Sequence, residues 1–229
     1  TNLQIDGNKT SYTSNNNYGI YLADSSNNNA VTGNTCNNNE YGIHLYDSSD
    51  NTITGNTCRD NNDSGIHLFV SSNNTITGNT CRDNNDSGIY LADSSNNNAV
   101  TGNTCRDNNY YGIYLADSSN NNAVTGNTCN NNEYGIHLYD SSDNTITGNT
   151  CRDNNDSGIH LFVSSNNTIT GNTCNNNNSR GIYLMFSNNN TIAGNTCIRG
   201  TGLSTDYTTG QHTIQLGGTD NNYNLIAMN

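Results

Sequence analysis

The stretch VTGNTCNNNEYGIHLYDSSDNTITGNTC, residues 31–58, contains the word TGNTC twice, 22 residues apart. Within it, GIHL and NTITGNTC alternate apolar and polar residues, which is the pattern of short strands with one buried face. Runs such as NNNE and SSDN separate the strands, because Asn, Ser and Asp favour turns. No part of the stretch has the 3.6-residue period of a helix. It therefore predicts short β-strands joined by tight turns.

The same unit recurs along the whole chain of 229 residues. GI dipeptides follow one another at intervals of 23 or 24 residues from Gly19 to Gly181, and the word GNTC recurs at intervals of 22 to 24. A longer repeat lies above this one, because residues 18–81 are identical to residues 111–174, at an offset of 93. A period of this length, with two or three short strands per unit, is typical of one coil of a β-solenoid.

Composition supports a thin core that extends over a long distance. Hydrophobic residues make up 30% of the chain, below the roughly 45–50% of ordinary globular domains. The formal net charge is −12 and no basic cluster is present, which argues against a nucleic-acid partner. No run approaches the roughly 20 apolar residues of a membrane helix, so we expect no membrane span.

Stacked coils place equivalent residues about 4.8 Å apart, which predicts two ladders. The Asn of each GNTC word falls at a bend, where side-chain amides can hydrogen-bond from coil to coil. The predicted asparagine ladder consists of Asn34, Asn56, Asn79, Asn103, Asn127, Asn149, Asn172 and Asn195. The Cys of each word is predicted to point inward as a small apolar side chain. The predicted cysteine ladder consists of Cys36, Cys58, Cys81, Cys105, Cys129, Cys151, Cys174 and Cys197.

The stretch NTITGNTCRDNNDSGIHLFVSSNNTITGN, residues 51–79, resembles the tandem repeats of the NosD-like and pectate-lyase-like β-helix families. The resemblance covers nearly the whole chain. It implies an all-β fold, a right-handed parallel β-helix of about nine coils of 22 to 24 residues. The NosD-like group includes periplasmic copper-site maturation proteins and many archaeal and bacterial surface proteins, so the resemblance also implies an extracellular or cell-surface location. One departure is the Cys after GNT, where the family often has Ile or Val.

The whole chain, residues 1–229, is predicted to be one β-helix domain. Regular coils span residues 19–197, and an irregular coil followed by a final coil spans residues 198–229. TNLQIDGN at the start is similar to a worn NTITGN strand, and the irregular segment Ile198–His212 is predicted to bulge from the rod. The ends show no capping helix, which leaves two interpretations open. The chain is either a fragment of a longer β-helix or a protomer that stacks head to tail.

The cysteines leave three possibilities open: buried free thiols, some disulfides between neighbouring coils, or metal ligands. A second candidate metal site comes from side chains that should stack on adjacent coils. It consists of His44, His67, His137, His160, Asp60 and Asp83. Imidazoles would suit Cu or Zn, and carboxylates would suit Ca²⁺. The alternatives are an aromatic ladder that shields the strands and solvated turns in which Arg59 and Arg82 offset the acids. No cofactor is required by either alternative.

Four further aromatic residues are predicted to project outward beside the histidines, as a strip for lateral packing or for sugar stacking. They are Tyr46, Phe69, Tyr139 and Phe162.

The even coil length and the absence of a unique catalytic cluster predict that the chain is not an enzyme. We therefore expect a non-catalytic extracellular structural protein that stacks end to end with itself into a fibre, sheath or stalk. Two alternatives remain. The first is a polysaccharide- or metal-binding module of a larger surface protein, with surface glycans as partners. The second is a polysaccharide lyase.

Overall fold

A computed structural model of the chain describes residues 4–6, 17–198 and 212–229, with side chains for residues 17–198 and 212–229. The described residues form short strands and turns, and none of them forms a helix. All strand pairs are parallel and join equivalent positions of successive units, as in Ile43↔Ile66 and Cys58↔Cys81. The predicted fold, a right-handed parallel β-helix, is confirmed, with about eight turns.

The strands form three sheets that run the length of the rod. Sheet A contains β1 (Gln4–Asp6), β4 (Thr35–Asn37), β7 (Thr57–Arg59), β10 (Thr80–Arg82), β13 (Thr104–Arg106) and β16 (Thr128–Asn130). Sheet B contains β2 (Tyr18–Leu22), β5 (Tyr41–Tyr46), β8 (Ile66–Phe69), β11 (Ser87–Ala92), β14 (Tyr111–Ala116), β17 (Tyr134–Tyr139), β19 (Ser157–Phe162), β21 (Arg180–Met185) and β23 (His212–Gly217). Sheet C contains β3 (Ala30–Thr32), β6 (Thr52–Thr54), β9 (Thr75–Thr77), β12 (Ala99–Thr101), β15 (Ala123–Thr125), β18 (Thr145–Thr147), β20 (Thr168–Thr170), β22 (Thr191–Ala193) and β24 (Leu225–Ala227).

Each coil runs from sheet B through sheet C to sheet A. Between β12 and β13 the chain turns at Gly102, whose φ of +62° is a left-handed conformation that glycine adopts without a Cβ penalty. The side chains that alternate inward on the three strands fill the core. In this coil Ile89, Leu91, Val100 and Cys105 have no exposed surface. One such layer per coil, repeated along the rod, buries enough apolar surface for a chain that is only 30% hydrophobic.

The asparagine ladder of the GNTC words lies at the bend between sheets C and A. Asn103 illustrates its hydrogen bonds: the side-chain amide donates to Ile76 O at 2.9 Å and to Asn127 Oδ1 at 3.0 Å. Its own Oδ1 accepts from the backbone and side-chain amides of Asn79. These bonds allow buried polar groups to sit inside the rod without loss of hydrogen bonding.

Two further asparagine ladders, which the sequence analysis did not single out, occupy the other two corners. The ladder between sheets B and C consists of Asn29, Asn51, Asn74, Asn98, Asn122, Asn144, Asn167, Asn190 and Asn224. The ladder between sheets A and B consists of Asn39, Asn61, Asn84, Asn108, Asn132, Asn154 and Asn177. All three corners of the coil are therefore held by stacked amides.

The cysteines form a column on the inner face of sheet A and its continuation. All eight are free; seven are buried and Cys197 is half-buried. The column packs against the glycines that begin the strands of sheet B: a Cβ on Gly112 would lie 2.9 Å from Cys129 Cβ and 2.5 Å from Gly135 O. The small cysteine side chain and the glycine therefore occupy the same narrow space between sheets A and B.

Both ends of the described chain belong to the same helix. β1 pairs with β4 in sheet A, with Ile5 opposite Cys36, so the first strand aligns with TCN rather than with the TIT strand that its sequence resembles. β24 pairs with β22 in sheet C, in line with its similarity to NTIAGN. Most of the predicted irregular coil, residues 199–211, lies outside the described residues. Within the part of the chain that the structure describes, no helix is long and apolar enough to cross a membrane.

Candidate functional site

The outer face of sheet B carries a continuous ladder of flat side chains. Successive strands place one ring above another at the central outward position, in register along the sheet. The ladder consists of Tyr21, His44, His67, Tyr90, Tyr114, His137, His160 and Tyr183. Centroids of successive rings lie close together, for example 4.7 Å for His67 and Tyr90 and 4.7 Å for Tyr90 and Tyr114.

A second row of tyrosines at the start of the strands packs over this ladder. Tyr41 stacks on His67 at 5.1 Å, and Tyr134 stacks on His160 at 5.4 Å. The four ladder histidines therefore point away from the core and are nevertheless only 7 to 8% exposed. The sequence analysis treated them as open surface groups, because strand alternation alone does not show that a neighbouring tyrosine covers them.

Burial leaves the ladder histidines neutral. It lowers the pKa of His44 to about 4, and with help from the neighbouring imidazole it lowers the pKa of His67 to about 3. In the second long repeat, burial and the neighbouring His160 lower the pKa of His137 to about 3. Each of the four has a buried Nδ1 without a hydrogen-bond partner.

The four aromatic residues at the end of the strands form two stacked pairs. Tyr46 lies on Phe69 with ring centroids 5.4 Å apart and planes 5° from parallel, and Tyr139 lies on Phe162 at 5.5 Å and 8°. Tyr46 is 43% exposed and Tyr139 is 42% exposed. These pairs are the outer edge of the aromatic surface, and we call the ladder and the pairs together the aromatic face.

Carboxylates border the aromatic face on both sides. The pKa of Tyr90 is raised by its burial and then by Asp117 and Asp93 on one side and Asp86 and Asp63 on the other. Burial and the carboxylates of Asp63 and Glu40 likewise raise the pKa of Tyr41, to about 12. The face is thus apolar along its centre and negative along its borders.

One acidic pair distinguishes the first long repeat from the second. The backbone amide of Asp86 donates to the carbonyl oxygen of Asp63 at 3.0 Å, which places the two side chains on neighbouring rungs. Burial and the Asp63 carboxylate raise the pKa of Asp86 to about 6. At the equivalent of Asp86 the second repeat has Ser179, and Arg180 Nη1 pairs with Asp156 Oδ1 at 3.2 Å. The pair is therefore unique despite the repeated sequence around it.

The candidate metal ligands Asp60 and Asp83 lie elsewhere, on the turns between sheets A and B. Arg59 Nη1 pairs with Asp60 Oδ2 at 2.7 Å, and Arg82 pairs with Asp83. With Asp107 and neighbouring asparagines, they line an open groove of about 410 Å³. The structure does not bring them to the histidines. Among the described residues, no group of three or more His, Cys, Asp or Glu side chains converges on a point that could hold a metal ion.

Comparison with known proteins identifies the family. The family model described as periplasmic copper-binding protein (NosD) matches residues 1–150 and 116–223. The chain therefore belongs to the NosD family of parallel β-helix proteins. No curated protein sequence matches it.

Solved structures with the same fold act on polysaccharides. The periplasmic alginate epimerase AlgG matches with a TM-score of 0.72 and 21% identity over 87% of this chain and 50% of AlgG. The A-module of the Azotobacter vinelandii mannuronan C-5 epimerase AlgE6 matches with a TM-score of 0.76 and 17% identity over 90% of this chain and 60% of the module. The enzymatically active domain of bacteriophage CBA120 tailspike protein 2 matches with a TM-score of 0.71 and 15% identity over 91% of this chain and 37% of that domain.

These comparisons contradict the prediction that the chain is not an enzyme. AlgG and AlgE6 are epimerases, and the tailspike domain is enzymatically active. An even coil length and short turns therefore do not exclude catalysis in a parallel β-helix. At 15 to 21% identity the likeness establishes the shared fold, and the chain spans about half the length of the epimerases.

The family description names copper, and the ladder histidines fit such an ion. They offer neutral imidazole nitrogens that are buried and have no hydrogen-bond partner. Imidazole is a common copper ligand. The carboxylates of Asp60 and Asp83 fit less well, because each is already paired with an arginine.

Proposed function

We propose that this chain is a polysaccharide-binding β-helix that works outside the cytoplasm, with its glycan lying along the aromatic face. The observation that carries the proposal is the unbroken line of in-register rings on sheet B, bordered by the stacked pairs Tyr46–Phe69 and Tyr139–Phe162. Rigid aromatic rings bind the apolar faces of sugar rings at little cost in conformational entropy. The proposed location follows the family description as periplasmic.

The repeat of the fold suits an extended polymer. Each coil presents the same ring about 4.8 Å further along the rod, which is close to the length of one sugar unit in an extended glycan. A ligand of several units can therefore make the same contact on successive rungs, and the weak contacts add through one chain. The relatives of this fold that act on alginate, on mannuronan or through a tailspike support a polysaccharide as the ligand class.

The charge of the surface selects among polysaccharides. The net charge is −12, and carboxylates such as Asp93, Asp117, Asp63 and Asp86 border the face on both sides. A uronate polymer such as alginate would be repelled by these borders, because like charges side by side are unfavourable. We therefore propose a neutral or amino-sugar polymer rather than a polyuronate.

A glycan array that includes neutral polymers, amino-sugar polymers and polyuronates tests the proposal. We expect binding to neutral or amino-sugar polymers and little binding to alginate or polygalacturonate. Binding only to polyuronates, or to no glycan, would contradict it. The same incubations, followed for new reducing ends and for unsaturated sugars, show whether the bound polymer is also cleaved, as a lyase would do.

A second function, end-to-end stacking into a surface fibre, is supported by the coil of β23 and β24. Ile226 is 44% exposed, whereas its neighbour in register, Ile192, is fully buried. Leu216 is 38% exposed above the buried Leu184. This open layer has the width and register of every other coil, so a second copy of the chain could continue the three sheets.

Sedimentation velocity at rising concentration tests the stacking. We expect larger species for the wild type and none for Ile226→Lys, which places a charge in the open layer. Electron microscopy should then show rods of constant width and variable length. A single species of unchanged size for both proteins would overturn the stacking without affecting the glycan proposal.

A further inference from the structure

The histidines of the aromatic ladder occur only as neighbouring pairs. His44 lies opposite His67, and His137 lies opposite His160, on adjacent strands of sheet B. The ring centroids are 4.7 Å and 4.6 Å apart, and the planes are nearly perpendicular, at 80° and 90°. The remaining rungs of the ladder carry tyrosine. The sequence thus changes from tyrosine to histidine in two adjacent rungs at once, and it does so twice.

Both pairs contain buried nitrogens without partners. Nδ1 of His44 and both nitrogens of His67 have no hydrogen bond, and the same is true of Nδ1 of His137 and both nitrogens of His160. A buried polar atom without a partner destabilises the fold, and a tyrosine at the same position would not introduce these ring nitrogens. A ligand that accepts electron pairs from the nitrogens would remove that cost.

The surroundings restrict which ligand can do so. The imidazoles lie between aromatic rings, for example those of Tyr18, Tyr41 and Tyr90, and their lowered pKa values leave the nitrogen lone pairs free. Within the described chain no third His, Cys, Asp or Glu converges on either pair. Zn²⁺ takes four ligands and Ca²⁺ takes six or more oxygens, so neither is satisfied here.

Cu(I) fits these conditions better than a divalent ion. It is a soft ion that forms stable linear complexes with two nitrogen donors. Its single positive charge also costs less to bury among aromatic rings than a double charge. We propose that each histidine pair, His44 with His67 and His137 with His160, is a binding site for one Cu(I) ion, which gives two ions per chain. The site is independent of the glycan proposal, because it lies beneath the exposed rings.

Anaerobic loading of the full chain with Cu(I), followed by competition with a chromophoric Cu(I) chelator and metal analysis, measures the stoichiometry. We expect two ions for the wild type, one for His67→Tyr, one for His160→Tyr and none for the double variant. Tyrosine already occupies this ladder position on other coils, so these substitutions should preserve the fold, which circular dichroism checks. His67→Phe is the second variant should tyrosine disturb it.

Two controls separate this site from other copper-binding groups. His212→Tyr changes an exposed histidine outside the ladder and should still bind two ions. X-ray absorption at the copper edge should show nitrogen neighbours without sulfur, since sulfur would place the ion at the cysteine column. Binding of no copper by the wild type, retention of two ions by the double variant, or a sulfur signal would each overturn the proposal.

Discussion

Asp63 and Asp86 lie on neighbouring rungs at the border of the aromatic face, joined by a hydrogen bond of 3.0 Å from the Asp86 amide to the Asp63 carbonyl oxygen. Their side chains are partly withdrawn from water, so two like charges share a region of low polarity. Burial and the Asp63 carboxylate together raise the pKa of Asp86 from 3.8 to about 6. A proton on this pair near neutral pH would relieve the repulsion.

The pH dependence of stability should report this pair. Between pH 4 and 6 the folded chain holds a proton on Asp86 that the unfolded chain has lost, so this stabilisation is present at low pH and disappears as the pH rises through 6. Asp86→Asn should therefore raise the free energy of unfolding above pH 6 and change it little near pH 4. Urea unfolding at a series of pH values measures the difference between variant and wild type.

Asp50→Asn, the same change at an exposed turn residue, is the control and should give a difference that does not vary with pH. A flat difference for Asp86→Asn as well would show that the two carboxyl groups do not interact in the folded chain.

The asparagine ladders should dominate the polar part of the stability. Asn103→Ala removes the acceptor of both amides of Asn79 and the donor to Ile76 O, all inside the rod. With about 1–3 kcal/mol for each buried group left without a partner, we expect a loss of about 2–5 kcal/mol. Chemical denaturation measures it. Asn155→Ala, at an exposed turn, should stay within about 0.5 kcal/mol, and equal losses for both variants would contradict the ladder account.

Two glycines of one region should fail for different reasons. An added Cβ at Gly112 would lie 2.5 Å from Gly135 O and 2.9 Å from Cys129 Cβ, so Gly112→Ala should prevent close stacking and unfold the chain at moderate temperature. Gly102 has open space around it and a φ of +62°, so Gly102→Ala should cost only about 1–2 kcal/mol of backbone strain. Thermal unfolding of the two variants distinguishes the effects. The reverse order would mean that the sheets are not packed as tightly as described.

The cysteine column should be chemically silent in the folded protein. Burial raises the pKa of the Cys129 thiol, and hydrogen bonding to the Cys58 thiol together with burial raises that of Cys36, so neither forms a reactive thiolate. We expect an alkylating reagent without reductant to label at most the half-buried Cys197 in the native chain, and all eight thiols after unfolding. Mass spectrometry counts the labels. Thiols that resist labelling after unfolding would indicate disulfides.

The sequence was sufficient for the fold because the period is nearly constant. A coil of 22 to 24 residues with the same inward positions leaves one way to stack, and register then places Cys58 opposite Cys81 without further information. The N-terminal strand was assigned to the wrong sheet because three residues, Gln4–Asp6, carry too little pattern to separate TIT from TCN.

Other features could not be read from the sequence. Runs of three or four asparagines conceal which one turns inward, since that choice depends on the exact phase of the turn. Two of the three asparagine ladders were missed for this reason. The burial of His67 was missed because it depends on Tyr41, which belongs to the preceding coil and folds over the ladder. The pairing of Arg59 with Asp60 was proposed as one alternative and is present in the structure.

The most direct test of the glycan proposal is titration calorimetry of a neutral or amino-sugar polymer, chosen from the array, against matched tyrosine variants. Tyr46→Ala with Tyr139→Ala removes both outer rings of the aromatic face, and Tyr223→Ala removes a tyrosine that is 89% exposed on a turn outside it. The account predicts about tenfold weaker binding for the double variant and unchanged binding for Tyr223→Ala. Equal affinity for all three proteins, or a loss confined to Tyr223→Ala, would contradict it.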